Sequence, residues 1–498
     1  MDRRQFLRSI STGAAGVALA PQLGAGAEPK AARPPNVLFV LADQWRFSAF
    51  SHETDPLVQT PNMDKLVAAG ARFTRMHATN PVCTPNRSCI LTSRFSHQQG
   101  MTHNDIMLPP KERCLGETFH DAGYATHYIG KWHMDGGDKP GFVPPGWRRR
   151  GFETFEGFNR GHYYPSGAQY YSNDGKLIRP DVFESYYQSD LAINFMKQHK
   201  DRPFFCYLSW GPPHTPYRPP KEYDRFSKMA KLQYRPNVPE KLRDGVPLQR
   251  ELAGYYGLCE TLDHEMGRVL RAVDDLGIAD NTLVVFTADH GDMQGSHGLY
   301  RKGKPQEESL HIPLFMRLPS RIKAGQKPST LASSIDLFPT LAGICGLKTP
   351  STCVGRDLSG AVLGGPAPKV ESVYAEGAME RSRVEGKAVK APTETKRSKK
   401  NVSEEADEDS TPGGEWRALV TPTHKLVSNI SGGTLLYDLE KDPYELNNLA
   451  ESSEHKALKE HLATQMKKWA RDTDDPYPKT SRESKKNYSD EEAAKARA

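Results

Sequence analysis

Apolar positions along this chain follow two spacings. Asn36-Val-Leu-Phe-Val-Leu41 is an unbroken apolar run rich in β-formers, which predicts a strand buried on both faces and ending at Asp43. Tyr124–Ile129, Phe204–Trp210 and Leu283–Thr287 repeat the pattern. Between the last two, Gln249–Leu276 spaces its apolar residues at helical intervals and stops at Gly277. Thr60-Pro61 opens a shorter helix that Gly70 closes. Strands alternating with helices over about 300 residues predict an α/β sandwich around a large sheet. In such sheets ligands bind beside polar residues gathered just past strand ends.

The pattern changes near residue 365. Residues 380–414 are rich in Lys, Glu, Ser, Thr and Pro and nearly lack large apolar side chains, which predicts a disordered insertion. Short strand-like pieces surround it at Val373–Glu376, Trp416–Thr421, Lys425–Asn429 and Thr434–Tyr437, predicting a small antiparallel sheet. The expected organisation is a leader at 1–27, an α/β domain at 28–365, a small α+β domain at 366–450 and a helix with a charged tail at 451–498.

Composition narrows the class. The 498 residues carry a formal net charge of +6, with 37% apolar and 9% aromatic residues, the profile of a loop-rich globular protein. No run approaches the roughly 20 apolar residues of a transmembrane segment, and no long basic block points to nucleic acid. Residues 2–8, Asp-Arg-Arg-Gln-Phe-Leu-Arg, precede a weakly apolar run and Ala25-Gly26-Ala27. This predicts a cleaved twin-arginine signal, engagement of the twin-arginine export machinery, and a periplasmic or secreted protein. The seven cysteines include no Cys-x-x-Cys pair, which argues against a thiolate zinc or iron–sulfur site. An odd count in an exported chain leaves one cysteine for another task.

The stretch Cys83-Thr84-Pro85-Asn86-Arg87-Ser88-Cys89 continues into Leu91-Thr92-Ser93-Arg94. Pro85 suits a first helical turn, so Cys83 would sit at a helix N-terminus, where backbone N–H groups favour an anion, with Arg87 one turn on. This stretch resembles the Cys-x-Pro-x-Arg signature of the type I sulfatases of the alkaline phosphatase superfamily, with Ser93 where the family has Gly. Further blocks follow in family order: Gly130-Lys131-Trp132-His133, Pro212-Pro213-His214-Thr215-Pro216, Phe286-Thr287-Ala288-Asp289-His290-Gly291-Asp292 and Gly298-Leu299-Tyr300-Arg301-Lys302-Gly303. Leu436-Tyr437-Asp438-Leu439 through Asn447-Asn448-Leu449 resembles the family's C-terminal signature. The resemblance implies an alkaline-phosphatase-like sandwich with a large central mixed sheet and a smaller C-terminal domain holding an antiparallel sheet.

It also implies a chemistry. A formylglycine-generating maturation enzyme would oxidise Cys83 to formylglycine, whose hydrate attacks sulfur and forms a covalent sulfate ester. Arg87 and Lys131 would hold the nucleophile and offset its charge. His133 would deprotonate the second hydroxyl, releasing sulfate, while His214 and Lys302 bind the sulfate and protonate the leaving alcohol. Asp43, Gln44, Asp289 and His290, with the modified Cys83, would hold a divalent cation, Ca²⁺ ahead of Mg²⁺ for a mostly oxygen ligand set. Gln44 stands where many sulfatases have a second Asp, so weaker cation binding is expected.

For the substrate, Trp147-Arg148-Arg149-Arg150, Phe158, His162, Tyr163, Tyr164, Tyr170 and Tyr171 read either as a rim for sugars and sulfates or as a loop packing its aromatics on the domain. His103, Asn104, Asp105 and His297 are further candidates for the leaving-group pocket. A sulfated carbohydrate is favoured; choline sulfate, an aryl sulfate, or a phosphate or phosphonate ester are the alternatives. A non-catalytic sulfated-glycan binder would require Cys83 to stay unmodified.

Overall fold

The apolar runs form the centre of a nine-stranded sheet. The structure is a computed structural model and describes residues 33–55, 57–162, 167–378, 414–477, 485 and 487–498. The leader at 1–27, Tyr163, Tyr164 and all of the predicted insertion except Gly414 lie outside the described residues. The strand order is β2 (Ala71–Arg72), β11 (Leu314–Arg317), β9 (Thr282–Ala288), β1 (Asn36–Asp43), β8 (Phe204–Pro213), β4 (Ala125–Lys131), β5 (Thr154–Phe158), β6 (Tyr170–Tyr171) and β7 (Leu177–Ile178). The five strands from β9 to β5 pair in parallel, and the flanking strands pair antiparallel, so the sheet is mixed. β1, β4, β8 and β9 are buried along their whole lengths, which explains their unbroken apolar sequences.

The amphipathic helix Val246–Asp275 begins three residues before the predicted span and ends one residue before it. β10 (His311–Ile312), β3 (Met76–His77) and β12 (Ala332–Ser333) make a three-stranded sheet. β13 (Val373–Gly377), β14 (Trp416–Val420), β15 (His424–Asn429) and β16 (Thr434–Asp438) form the expected antiparallel sheet. One of its faces, through Val373, Ala375, Trp416 and Ala418, joins the main core. The other packs Tyr374, Leu419, Leu426 and Leu436 against Leu462 and Met466 of the helix Lys456–Asp472. With both faces covered, this sheet belongs to the same compact unit, Pro34–Ala498. Among the described residues no helix is long and apolar enough to cross a membrane. All seven cysteines are free thiols.

Two backbone features shape the catalytic end of the sheet. β4 and β8 approach so closely at Gly130 (φ +95°) that a Cβ there would lie 2.1 Å from the Ser209 carbonyl oxygen. The β1–β8 register shifts between Ala42 and Asp43, and Gln44 follows with φ +72°, turning Asp43 and Gln44 away from the strand line.

Candidate active site

The ends of β1, β4, β8 and β9 deliver Asp43, Lys131, His214 and Asp289 to one point, which the helix Cys83–Thr92 approaches with its N-terminus. All ten residues of that helix are buried, and Pro85 is its third. Asn86 secures the helix start, its Oδ1 accepting from the Thr79 N–H (3.0 Å) and its Nδ2 donating to the Ser334 hydroxyl (3.0 Å).

Arg87 is enclosed in four hydrogen bonds: Nε to Asp289 Oδ2 (2.9 Å), Nη2 to Asp43 Oδ2 (3.0 Å), and Nη1 to the Lys131 carbonyl (2.9 Å) and the Ser209 hydroxyl (2.8 Å). Its direct charge partners are thus the two carboxylates. The cations nearest Cys83 Sγ are Lys302 Nζ (3.0 Å) and Lys131 Nζ (3.5 Å), with His290 Nε2 at 3.3 Å. Burial pushes the Cys83 thiol up, but Lys131, Lys302 and His290, with a hydrogen bond to His133, outweigh it and hold the group well below its ordinary value. Burial and Cys83 likewise push Asp43 up, and Lys131, His214 and Arg87 bring it well below the usual carboxylate range. The pocket therefore stabilises negative charge at the Cys83 position.

His133 (φ +59°) follows β4 and sets Nε2 3.1 Å from Asp105 Oδ1, while its own carbonyl accepts from the Thr84 hydroxyl at 2.7 Å. Arg160 holds the other Asp105 oxygen at 2.8 Å, and Asn104 accepts from the Thr84 N–H at 3.0 Å. His103 is buried in the same segment. His162 reaches Lys131 Nζ at 2.9 Å and stacks on His214 at 3.9 Å, and His214 Nε2 lies 2.8 Å from Lys302 Nζ. The structure thus brings together Asp43, Cys83, Arg87, Lys131, His133, His162, His214, Asp289, His290 and Lys302. His297 instead contacts Asn237 at 3.1 Å and clusters with Glu308 and Glu445.

The predicted rim is largely interior, which corrects the substrate-facing reading of those residues. Arg149 and Arg150 are each 1% exposed and donate to the carbonyls of Val143 and Asn173, and of Leu108, Pro109 and Pro110. Phe158 and Tyr170 are fully buried against each other. Arg148 pairs with Asp135, and Trp147 donates to Asp490. From the turn at Trp147–Arg149 the guanidinium forks of Arg149 and Arg150 reach backbone carbonyls of other segments, so these two arginines serve the fold.

The supporting residues Ser209, Tyr217 and Asp292 were not singled out from sequence. Ser209 is the one small hydroxyl side chain in the Phe204–Trp210 run, among aromatic residues, Cys206 and Leu208, a signal that could have marked it. Asp292 accepts from Gln44 Nε2 at 2.6 Å and from the Tyr217 hydroxyl, so Gln44 is held with its amide NH₂ turned from the site and Oε1 toward Lys302 Nζ (3.4 Å). Replacing Gln44 with Asp adds an anionic ligand but deprives Asp292 of a donor and brings a second carboxylate near it. Gln44→Asp should bind Ca²⁺ about tenfold more tightly by calorimetry, roughly 1.4 kcal/mol, and melt at a lower temperature than the parent without metal. Unchanged affinity would place Gln44 outside the cation's ligands.

The donor set fits a divalent cation. Asp43, Cys83, Asp289 and His290 present ligand atoms within 4.8 Å of one another. His290 Nδ1 is held 2.9 Å from the Gly291 carbonyl, leaving Nε2 facing Asp43 Oδ1 (3.8 Å) and Asp289 Oδ1 (3.6 Å). Lone pairs on three such atoms call for a cation between them, and the backbone contact at the far nitrogen is the usual support of a ligating histidine.

A family model described as Sulfatase matches residues 35–347. The chain belongs to the sulfatase family and is a sulfuric ester hydrolase; the family implies a formylglycine and a divalent metal. It is 31% identical to the ulvan-active sulfatase of Formosa agariphila over 87% of this chain and 80% of that one. It is 27% identical to the endo-4-O-sulfatase of Bacteroides thetaiotaomicron over 90% of this chain and 94% of that one. Its fold matches a structure solved with its substrate D-glucosamine-2-N,6-O-disulfate at a TM-score of 0.75 and 22% identity, over 90% of this chain and 99% of the other.

Proposed function

We propose that this chain hydrolyses a sulfate monoester carried on a carbohydrate, releasing sulfate and an alcohol, with Cys83 as the formylglycine precursor and Ca²⁺ as the cation. The observation that carries the reading is the surroundings of Cys83 Sγ: a buried atom flanked by Lys302, Lys131 and His290 at 3.0–3.5 Å. That cradle suits an anionic nucleophile meeting an anionic substrate. The carbohydrate assignment draws on the name of the ulvan-active relative.

Asp43, Asp289, His290 and Gln44 Oε1 would hold the cation, which when bound polarises sulfate oxygens. The formylglycine supplies a nucleophile that regenerates as an aldehyde. Lys131 and Lys302 offset the charge brought by the substrate, and Asp43 and Arg87 fix the position of Lys131 and of the ligand carboxylates. His214, against Lys302, faces the leaving oxygen as proton donor, with His162 stacked behind it. His133 has its Nε2 against Asp105, so its Nδ1 is the nitrogen left to accept a proton, and Asp105 stabilises the resulting imidazolium. Export through the twin-arginine route after modification in the cytoplasm is part of the proposal and draws on residues 2–8.

Peptide mass analysis of the Cys83 region, followed by release assays on sulfated glycans, aryl and choline sulfates and phosphate esters, tests the reading. The expected result is an aldehyde at position 83 and sulfate release highest on a glycan. Phosphate-ester turnover far above sulfate-ester turnover would overturn it, and exported protein carrying only the Cys83 thiol would refute the maturation route.

A further inference from the structure

The three-stranded sheet carries a second group of donor side chains. β3 and β10 pair antiparallel with His77 directly opposite His311, and their rings stack 5.0 Å apart. Glu307 precedes His311 by four residues and sets Oε2 3.1 Å from His311 Nδ1 and 3.5 Å from His77 Nε2. Lys425 takes the other oxygen, Oε1, at 2.9 Å. The three side chains line a cavity of about 320 Å³ whose wall also includes Phe47, Glu53, Arg235 and Glu308.

His77 is 2% exposed, yet neither of its ring nitrogens has a hydrogen-bond partner, and His311 Nε2 also lacks one. Burying a polar group without a hydrogen bond is unfavourable, so an imidazole whose nitrogens make none, turned to a cavity and 3.5 Å from a carboxylate oxygen, points to a missing ligand.

We propose that His77, Glu307 and His311 form a second metal site, distinct from the cluster at Cys83, that takes a borderline d-block dication such as Zn²⁺. Bonds of about 2.0–2.1 Å in tetrahedral geometry set neighbouring donors about 3.3 Å apart. The observed separations of 3.1 and 3.5 Å lie on either side of that spacing. Two imidazoles and one carboxylate favour Zn²⁺ or Co²⁺ over Ca²⁺ and Mg²⁺, the reverse of the oxygen-rich catalytic set. The cavity supplies room for water at the remaining position. Lys425 does not close the site to a cation, because Glu445 shares its ammonium at 2.6 Å. An ion here would tie β3 and β10 to the Glu307–Leu310 helix, and through Phe47, stacked on His311 at 3.8 Å, to the segment just past Gln44.

The test uses the full chain saturated with Ca²⁺, titrated with Co²⁺ and desalted before metal analysis. One Co²⁺ per chain with visible d–d absorption is expected, together with a melting temperature that rises on adding Co²⁺ or Zn²⁺. His77→Ala and His311→Ala should each weaken Co²⁺ binding at least about tenfold and abolish the thermal gain. His77→Gln serves the same purpose if the alanine variant does not fold. Cys83→Ser should retain the Co²⁺. Absence of retained Co²⁺ in the parent chain, or equal retention by the histidine variants, would overturn the proposal.

Discussion

Cys83→Ala is expected to lower kcat/KM for sulfate esters by at least about 10⁴-fold while the chain stays folded, the scale seen when a covalent nucleophile is removed. The surroundings of Sγ are already built by other side chains: Asp43 by Arg87 and Lys131, and His290 by the Gly291 carbonyl. Those contacts do not pass through Cys83, so substrate binding and charge neutralisation survive and only the nucleophile is lost. The substitution also removes the group that Lys131 and Lys302 both face. The variant should therefore retain sulfate or a slowly hydrolysed ester at least as well as the parent. Steady-state assays and sulfate binding on the same preparation check both halves. Turnover above about a hundredth of the parent's would remove Cys83 from the covalent step.

Much of the fold was legible because its central strands are buried on both faces. Asn36–Leu41, Tyr124–Ile129, Phe204–Trp210 and Leu283–Thr287 each lie in or against a parallel strand, where continuous apolar sequence is a direct consequence of position. The flanking strands Ala71–Arg72, Tyr170–Tyr171 and Leu177–Ile178 are two residues long, too short for any periodicity to declare itself. Their pairing depends on what lies beside them.

The site was legible to the extent that motifs mark strand ends, and it became obscure where a residue's role depends on its partner. Gln44 reads from sequence as a weaker ligand. Only Asp292 and Tyr217, more than 170 positions away, show which of its amide atoms faces the site. The run Arg148-Arg149-Arg150 reads as a cationic patch, yet local pattern cannot reveal that carbonyls of Leu108 to Pro110 wait for Arg150. Arg87 lies inside the motif, but its position between two carboxylates needs the ends of both β1 and β9.

That position makes Arg87 the residue whose loss should be felt most in stability. Arg87 is 1% exposed, and both partner carboxylates are fully buried. Arg87→Met keeps the bulk and removes the fork, leaving Asp289 Oδ2 without its guanidinium and Asp43 with Lys131 as its remaining close cation (2.7 Å). Removing one partner of a buried pair costs about 3–5 kcal/mol, so the metal-free variant should melt well below the parent. Two linked measurements distinguish this from a packing defect. A divalent cation that binds the folded carboxylates restores charge balance, so added Ca²⁺ should raise the variant's melting temperature more than the parent's. The second is pH. In the parent, Asp43 is held well below the usual carboxylate range, so its stabilisation is present above the unfolded value of about 3.9 and is lost only as pH falls toward the native one. Without the guanidinium, Asp43 keeps Lys131 and His214 but loses one of the charges that lower it, so its carboxyl sits higher than in the parent and contributes less stability. The stability gap between parent and variant should therefore stay level near neutral pH and narrow as pH falls below the unfolded value of about 3.9. A gap that is constant with pH and indifferent to Ca²⁺ would mean that the loss at Arg87 is one of shape, with the carboxylates neutralised elsewhere.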